Sequence, residues 1–440
     1  PWFENGPASD SQALMSIVNG YPYQAKILTS FMCNTIQATP GAMRDEVIER
    51  LKDTSVVPLH IACDVFIGEH AQYADYIVPD VTPYESFGLP TTGTTFTGYG
   101  TTVRWQTSEP QSMEISGGRH ASWETFLADV AVACELPGWG EDAIEDVDGN
   151  KWPLYDACDF YLKAVANLAY ANKKPVSDIS SEEAHIQALD ELPESFKATV
   201  TEEEWPKVLN VLSRGGRYWP MDFVHPDPEG GRSYGYEKDF VTYIYGEKRA
   251  LYKNCYSGKG VSPTLRYNPE TFSDLSPVED HYSREEYPFT ASEHKPRFRT
   301  VTMLSNSPIM RDLCSHNYIE INDEDAAELG IKDGDKIRAV TPLGDVSEGV
   351  AMVRAGQVKG AFSLSFGYEH INYGAQDIEI DGKLTKGDPA IAAGVRIHQM
   401  LDPLVSKDGV LSIYSENEAA SPGRSGGMFK IEKAYGGRQS

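Results

Sequence analysis

Asn34 and Asp64 each stand where an apolar run of strand length ends, which is where a nucleotide would meet them. Ala25 to Met32 breaks at Cys33-Asn34-Thr35, and Val56 to Ala62 breaks at Cys63-Asp64. In a parallel sheet with crossover helices, ligands sit beyond the carboxyl ends of the strands. The Asn34 amide offers a donor and an acceptor there. The Asp64 carboxylate can accept from the ring N–H and exocyclic amine of a purine, the pattern that guanine displays. Both residue types also favour turns for their own backbone bonding, so spacing alone leaves the nucleotide reading and the turn reading open.

A third group follows an apolar run near the carboxy terminus. Gly367 and Gly374 bracket His370 and Asn372. Glycines there permit close backbone approach to a planar ligand, with the histidine and asparagine as polar contacts. A lone loop histidine serves equally as a structural hydrogen-bonder. Arg214-Gly215-Gly216-Arg217 and Arg424-Ser425-Gly426-Gly427 are glycine-rich and basic, suited to phosphate or to plain loops.

Other chemistries lack their motifs. No GxGxxG follows the first strand, and no GxxxxGK[ST] or HExxH occurs. The six cysteines (Cys33, Cys63, Cys134, Cys158, Cys255 and Cys314) form no CxxC pair. A metal site built from local cysteine motifs is disfavoured, and no metal ligand is assigned. No carboxylate pair stands out as a glycosidase dyad. The acid runs Glu141-Asp142, Glu182-Glu183 and Glu202-Glu203-Glu204 read as solvated surface.

The elements that must position these residues begin with a βαβ progression. After the first strand, Pro40-Gly41 marks a turn, and Met43, Val47, Ile48 and Leu51 recur at helical spacing over 42–52. The strand ending at Asp64, a short helix over 69–74 and a strand over 76–78 follow. This order favours a parallel sheet. In the middle, 138–150 reads as an acidic loop, 154–171 as a helix, 178–204 as polar and charge-rich, and 214–260 as loops and short strands; 273–287 reads as a linker. Farther on, Asn322 suits a helix N-cap with Asp323, Glu324 and Asp325 in the first turn, and Gly330 suits the closing position. Short strands over 336–341, 346–353 and 361–366, joined at Gly344 and between Gly356 and Gly360, indicate a compact β-barrel.

Composition bounds the partners. The chain has 440 residues, 40% of them hydrophobic, and a formal net charge of −26. That is enough apolar content for two or three domains. The charge opposes nucleic-acid binding, while local donors can still hold a small anionic cofactor. No apolar stretch approaches the ~20 residues needed to span a bilayer. The chain opens Pro1-Trp2-Phe3 without an initiator Met, so upstream sequence, removed or separately encoded, is expected.

Two segments together resemble the DMSO-reductase family of molybdoenzymes. His60 to Glu85, with Asp64, Glu69, Ala74-Asp75, Pro79 and Glu85, resembles a family hallmark in which a strand ending in Asp precedes an ET…ADxxLP…E run. Cys33-Asn34-Thr35 is similar to the family's GxNP turn, with Cys for Gly and Thr for Pro. Tyr287 to Asp335 resembles the family's last domain, a molybdopterin-dinucleotide-binding barrel. Gly367 to Gly374, Asp381-Gly382-Lys383 and Ile391 to Val395 are similar to the branch holding tetrathionate reductase catalytic subunits, near arsenate and selenate reductases.

The resemblance implies an α/β Rossmann-like parallel-sheet domain over 1–130, an irregular α+β connecting region over 131–285 and a double-psi-type β-barrel over 286–440. It implies that Asn34 and Asp64 bind one pterin guanine dinucleotide, and that Lys295, Thr302, Asn306 and Asn317 contact the second. His370, Asn372 and Gly374 fall near a pterin or the substrate funnel. It further implies a molybdenum bis(molybdopterin guanine dinucleotide) cofactor, reduction of a small oxidised sulfur or oxyanion substrate such as tetrathionate, and a [4Fe–4S] cluster. A periplasmic or cell-surface location accompanies these, as does an iron–sulfur electron-transfer subunit with its membrane-anchor subunit. The family's cluster cysteines and metal-ligating residue belong to its amino-terminal half, so the chain alone is expected to be inactive. The alternatives are a non-catalytic cofactor-binding or assembly module, and an unrelated nucleotide-binding enzyme.

Overall fold

The computed structural model describes residues 10–89 except 22, 100–220 except 147 and 148, scattered positions between 222 and 272, and 276–396. Near the carboxy terminus it describes 404–405, 411–412, 414–415 and 425–434. Most of the stretch read as loops over 221–260, the start of the 273–287 linker, and Arg424 lie outside the described residues. The chain forms two compact units. One comprises Pro1–Ala62, Phe66–Ile77 and Tyr243–Ser440, the other Cys63–Val65 and Val78–Thr242.

The first elements are α1 (Asp10–Val18), β1 (Leu28–Phe31), α2 (Thr35–Ala38), α3 (Gly41–Lys52), β2 (His60–Asp64) and β3 (Tyr76–Pro79). The strands make a parallel sheet in the order β1-β2-β3. Leu14, Met15 and Val18 of α1 join Val47, Ile48 and Leu51 of α3 in one buried cluster. The sequence reading passed over α1. β2 starts later than the apolar run beginning at Val56. The N–H groups of Val56 and Val57 both donate to the Asp53 carbonyl, at 2.8 and 2.9 Å. Pro58 then offers no donor, so extended pairing begins at His60.

The second unit holds β4 (Gly100–Thr102), α4 (Trp123–Ala133), β5 (Gly140–Glu145), β6 (Lys151–Leu154), α5 (Ala157–Ala169), α6 (Ser181–Ile186), α7 (Trp205–Ser213) and β7 (Gly216–Tyr218). The region expected to be an acidic loop over 138–150 is instead mostly an antiparallel hairpin of β5 and β6. Its turn is tied by Asp146, whose carboxylate accepts from the Asn150 N–H at 2.9 Å and from the Trp152 indole at 2.9 Å. The exposed acids Glu141 and Asp142 line the strand, which explains why composition resembled a loop. The acid run at 202–204 is also more than surface. Glu204 accepts from the buried Lys163 ammonium at 3.1 Å, and that ammonium lies 4.3 Å from the Trp152 ring centre.

The carboxy-terminal third contains β8 (Phe289–His294), α8 (Pro308–Leu313), β9 (Ile319–Asn322), α9 (Asp323–Glu328), β10 (Lys336–Val340), β11 (Val346–Arg354), β12 (Ala361–Ser365) and β13 (Gly426–Lys433). Six strands close a barrel in the order β9-β11-β10-β13-β8-β12. β9 pairs parallel with β11 and antiparallel with β12; β8 pairs parallel with β12. Alternate residues (Ile319, Ile321, Ile337, Ala339, Phe362, Leu364, Phe429 and Ile431) fill the interior, as period-two patterning requires. The α9 cap matches the reading: Asn322 Oδ1 accepts from the Glu324 and Asp325 N–H groups at 2.9 and 3.3 Å. Gly330 closes the helix with φ of 67°.

The rings of Phe362 and Phe429 are fully buried and meet edge to face, 5.2 Å between centres. Phe362→Ala is expected to lower stability by about 3–5 kcal/mol through lost burial and a residual cavity. Urea unfolding followed by far-ultraviolet circular dichroism measures it, and a loss under about 1 kcal/mol would contradict a packed barrel centre.

Candidate functional site

The Glu69 carboxylate is fully buried and gathers three of the residues singled out in the sequence. It follows Gly68 on the chain leaving β2 and precedes the short helical turn Ala71–Tyr73. Asn34, just beyond β1, heads α2 without committing its side chain to that helix. Its Nδ2 donates to Glu69 Oε2, and its Oδ1 accepts from the His70 N–H at 3.1 Å. From the loop after β12, His370 Nδ1 lies 3.1 Å from Glu69 Oε1, and the Asn372 N–H donates to the same oxygen at 3.1 Å.

Burial opposes the charge on Glu69, but the hydrogen bonds and charge of His370, with donors from Asn34 and Asn372, hold its carboxyl down at about 2. Two further histidines stand close by. His60 and His70 meet edge to face at 4.8 Å, and His60 Nε2 lies 3.2 Å from the Ser30 hydroxyl. Burial, with the neighbouring His60 second, lowers His70 to about 3, so the imidazole is kept neutral.

A second buried knot binds the same loop. Gln37, on α2, donates to the Glu369 carbonyl at 3.2 Å and accepts from the Arg396 guanidinium. The Arg396 N–H donates to the Glu369 carboxylate at 2.9 Å. Burial pulls the Arg396 guanidinium down to about 10, partly offset by Glu369. Arg299 covers the Tyr368 ring at 3.8 Å and donates to the Gly367 carbonyl. Gly367 has φ of 87°, and a Cβ there would come within 2.6 Å of the Val301 carbonyl oxygen.

Left-handed backbone is concentrated at these segments. Met32 at the tip of β1, Glu369 and Tyr373 around His370, and Val301 and Leu304 all have φ between 44° and 65°. For a β-branched valine this is a costly conformation, and such strain collects where a fixed geometry is needed.

The other expected residues fall as follows. Gly374 has φ of 90°, and its carbonyl accepts from the Asp388 N–H at 2.8 Å. Asn317 is buried and its amide is committed to the chain. It donates to the Ser365 and Val395 carbonyls and accepts from the Val395 N–H, at 2.6, 2.8 and 2.7 Å. Thr302 and Asn306 are half-buried in the turn-rich segment before α8, and Lys295 is exposed after β8. Asp64 belongs to the other unit, where its carboxylate accepts from the Val65 N–H at 2.8 Å. Thus Asn34, His370 and Asn372 converge on Glu69, while the Thr302 backbone lies against Gly367 at the start of the same loop.

Sequence reasoning gave no role to Glu69, Gln37, Glu369, Arg299 or Arg396. A signal was present for Glu69: an adjacent Glu-His pair between Gly68 and Ala71, in a stretch otherwise tied to an apolar sheet. Arg299 belongs to Lys295-Pro296-Arg297-Phe298-Arg299, three cations in five residues of an acidic chain. Among the described residues, no group of three His, Cys, Asp or Glu side chains could hold a metal ion.

The direction of these shifts sets an acid response. The folded value of Glu69 lies below its ordinary 4.5. Its contribution is therefore present above 4.5 and is lost as pH falls toward about 2, a difference of roughly 3 kcal/mol. His70 is likewise held neutral, so its contribution falls away below 6.5 toward about 3. Stability measured by denaturant between pH 7 and pH 3 should decline in two stages. Glu69→Gln should remove the lower stage; an unchanged profile in that variant would contradict the assignment.

The chain resembles known proteins along most of its length. Residues 289–403 match the molydopterin dinucleotide binding domain. The tetrathionate reductase chain of Salmonella typhimurium is 30% identical over 403 residues, covering 91% of this chain and 38% of that protein. Its Archaeoglobus fulgidus counterpart, also a tetrathionate reductase, is 30% identical over 83% of this chain and 34% of its own length. The selenate reductase chain of Mesobacillus selenatarsenatis is 28% identical over 90% of this chain and 39% of its own length. The chain therefore spans under two fifths of the length of these relatives. The solved structure of acetylene hydratase from Pelobacter acetylenicus shares the fold, with a TM-score of 0.55 at 14% identity over 98% of this chain and 48% of that one. With a dinucleotide-binding domain built on the closed barrel and homology that runs through the strand-tip segments, the chain belongs to the DMSO-reductase family of molybdopterin oxidoreductases, as its carboxy-terminal part.

Proposed function

We propose that this chain is the dinucleotide-gripping part of a molybdenum bis(pterin guanine dinucleotide) oxidoreductase that reduces a small oxidised sulfur or oxyanion compound, tetrathionate first among them. One observation carries the reading: the loop that ends on the buried Glu69 hub lies inside the matched dinucleotide-binding domain. The donor set fits such a ligand. His370 Nε2 is buried without a hydrogen-bond partner among the described residues, and so are two nitrogens of the Arg44 guanidinium. Unpaired buried donors and acceptors of this kind favour a bound polar group. Lys295, Arg297 and Arg299 supply positive charge for phosphate.

In this reading Asn34 and Asp64 serve one dinucleotide, and Lys295, Thr302 and Asn306 the second. His370, Asn372 and Gly374 line a pterin edge. Asn317 acts by fixing the Val395 segment on which the rim depends. The molybdenum centre supplies the redox chemistry, while this chain's residues bind, orient and exclude water. We assign the two folds as Rossmann-like and double-psi. The whole protein carries a [4Fe–4S] cluster and metal ligand in a segment beyond this chain, passes electrons from an iron–sulfur subunit with a membrane anchor, and works on the periplasmic or cell-surface side. This chain alone is inactive.

Calorimetric titration of the chain tests the reading. Guanosine diphosphate should bind at least ten-fold more tightly than NAD, and Lys295→Glu with Arg297→Glu should weaken it by about ten-fold, roughly 1.4 kcal/mol. Preference for NAD would overturn the cofactor assignment. For the full-length protein, metal and pterin analysis should give two guanine dinucleotides per molybdenum, and tetrathionate should be reduced with a viologen donor.

A further inference from the structure

We propose that Glu69 is a positioning residue which holds the His370 ring through its Nδ1–H, leaving Nε2 directed at a polar group of the bound pterin guanine dinucleotide. The proposal rests on the reading above and adds to it a residue that acts through another side chain.

The geometry leaves little freedom. Glu69 is 0% exposed and His370 1% exposed, so neither can turn to water. An ionised carboxylate only accepts hydrogen bonds, and this one is held ionised. The nitrogen facing it, His370 Nδ1 at 3.1 Å, must therefore carry a proton. The other ring nitrogen, Nε2, then points away from the carboxylate. That atom is buried and has no hydrogen-bond partner among the described residues. Leaving such a group unpaired costs about 1–3 kcal/mol, which the bound ligand recovers.

Aromatic packing holds the plane of the ring. The Tyr373 ring stacks on His370 at 5.0 Å and 27°, and Phe66 lies 5.0 Å beyond Tyr373. The Asn372 N–H shares the oxygen that His370 uses, so the loop backbone and the ring are registered on one atom. Asn34 holds the other oxygen. The carboxylate is thus held through both oxygens, which is how an outer residue sets the orientation of a histidine ring.

Nitrogen NMR of the chain with selectively labelled histidine tests this, the His370 resonances being identified with His370→Gln. The wild-type protein should show a protonated Nδ1 at His370. Glu69→Leu, which offers Nδ1 no acceptor, should lose that preference, and Glu69→Asp should keep Nδ1–H. A wild-type Nε2–H tautomer overturns the proposal, and this result needs no variant to fold. An unchanged Nδ1–H preference in a folded Glu69→Leu protein overturns it as well. In the full-length protein, Glu69→Leu should retain at least ten-fold less pterin guanine dinucleotide than wild type, while Glu69→Asp restores most of it; equal content in all three contradicts the proposal. Failure of the unaltered chain to bind guanosine diphosphate would instead defeat the underlying functional reading, and the tautomer result would stand apart from it.

Discussion

A carboxylate taken wholly out of water must be surrounded by donors, and that requirement on Glu69 organises the candidate site. Desolvation alone costs several kcal/mol for a charge of this size. Three donors, from Asn34, His370 and Asn372, answer it. They come from the tip of β1 and from the loop after β12, some three hundred residues apart in sequence. Removing any one leaves a buried acceptor short of a partner, so the loop and the strand tip hold each other in place. The Gln37, Glu369 and Arg396 knot repeats this arrangement on the other flank of the same loop.

Rigidity obtained this way suits ligand binding more than fold stability. The barrel already has a dry interior of alternating aliphatic and aromatic residues and does not need ionic groups to close. The buried charges sit instead beside backbone held in left-handed conformations at Met32, Glu369 and Tyr373. Such positions persist only when the surroundings over-determine them. The hub supplies that constraint, and it leaves His370 Nε2 and the Arg44 guanidinium with hydrogen-bonding capacity in reserve.

Much of this was legible in the sequence. The strand ends at Asn34 and Asp64, the helix over 41–52, the Asn322 cap and the glycine-joined barrel strands follow from local pattern, because each depends on neighbours within a few residues. The hairpin over 140–154 was hidden because its acidic outer face reads like a loop; what specifies it is the Asp146 turn. Glu69 was hidden for a different reason. A buried carboxylate and a solvated one look alike in sequence, and only its distant partners distinguish them. The same holds for Glu204, which looked like surface until Lys163 was found against it. Asn317 shows the converse: it was expected at a ligand, and its amide is committed to Ser365 and Val395.

The structure of the full-length, molybdenum-loaded protein tests the central claim most directly. A pterin guanine dinucleotide should lie against the 366–374 loop, with a ring nitrogen within about 3.2 Å of His370 Nε2 and Glu69 still buried beneath it. A loop covered by protein, or facing solvent with the dinucleotide elsewhere, would contradict the account.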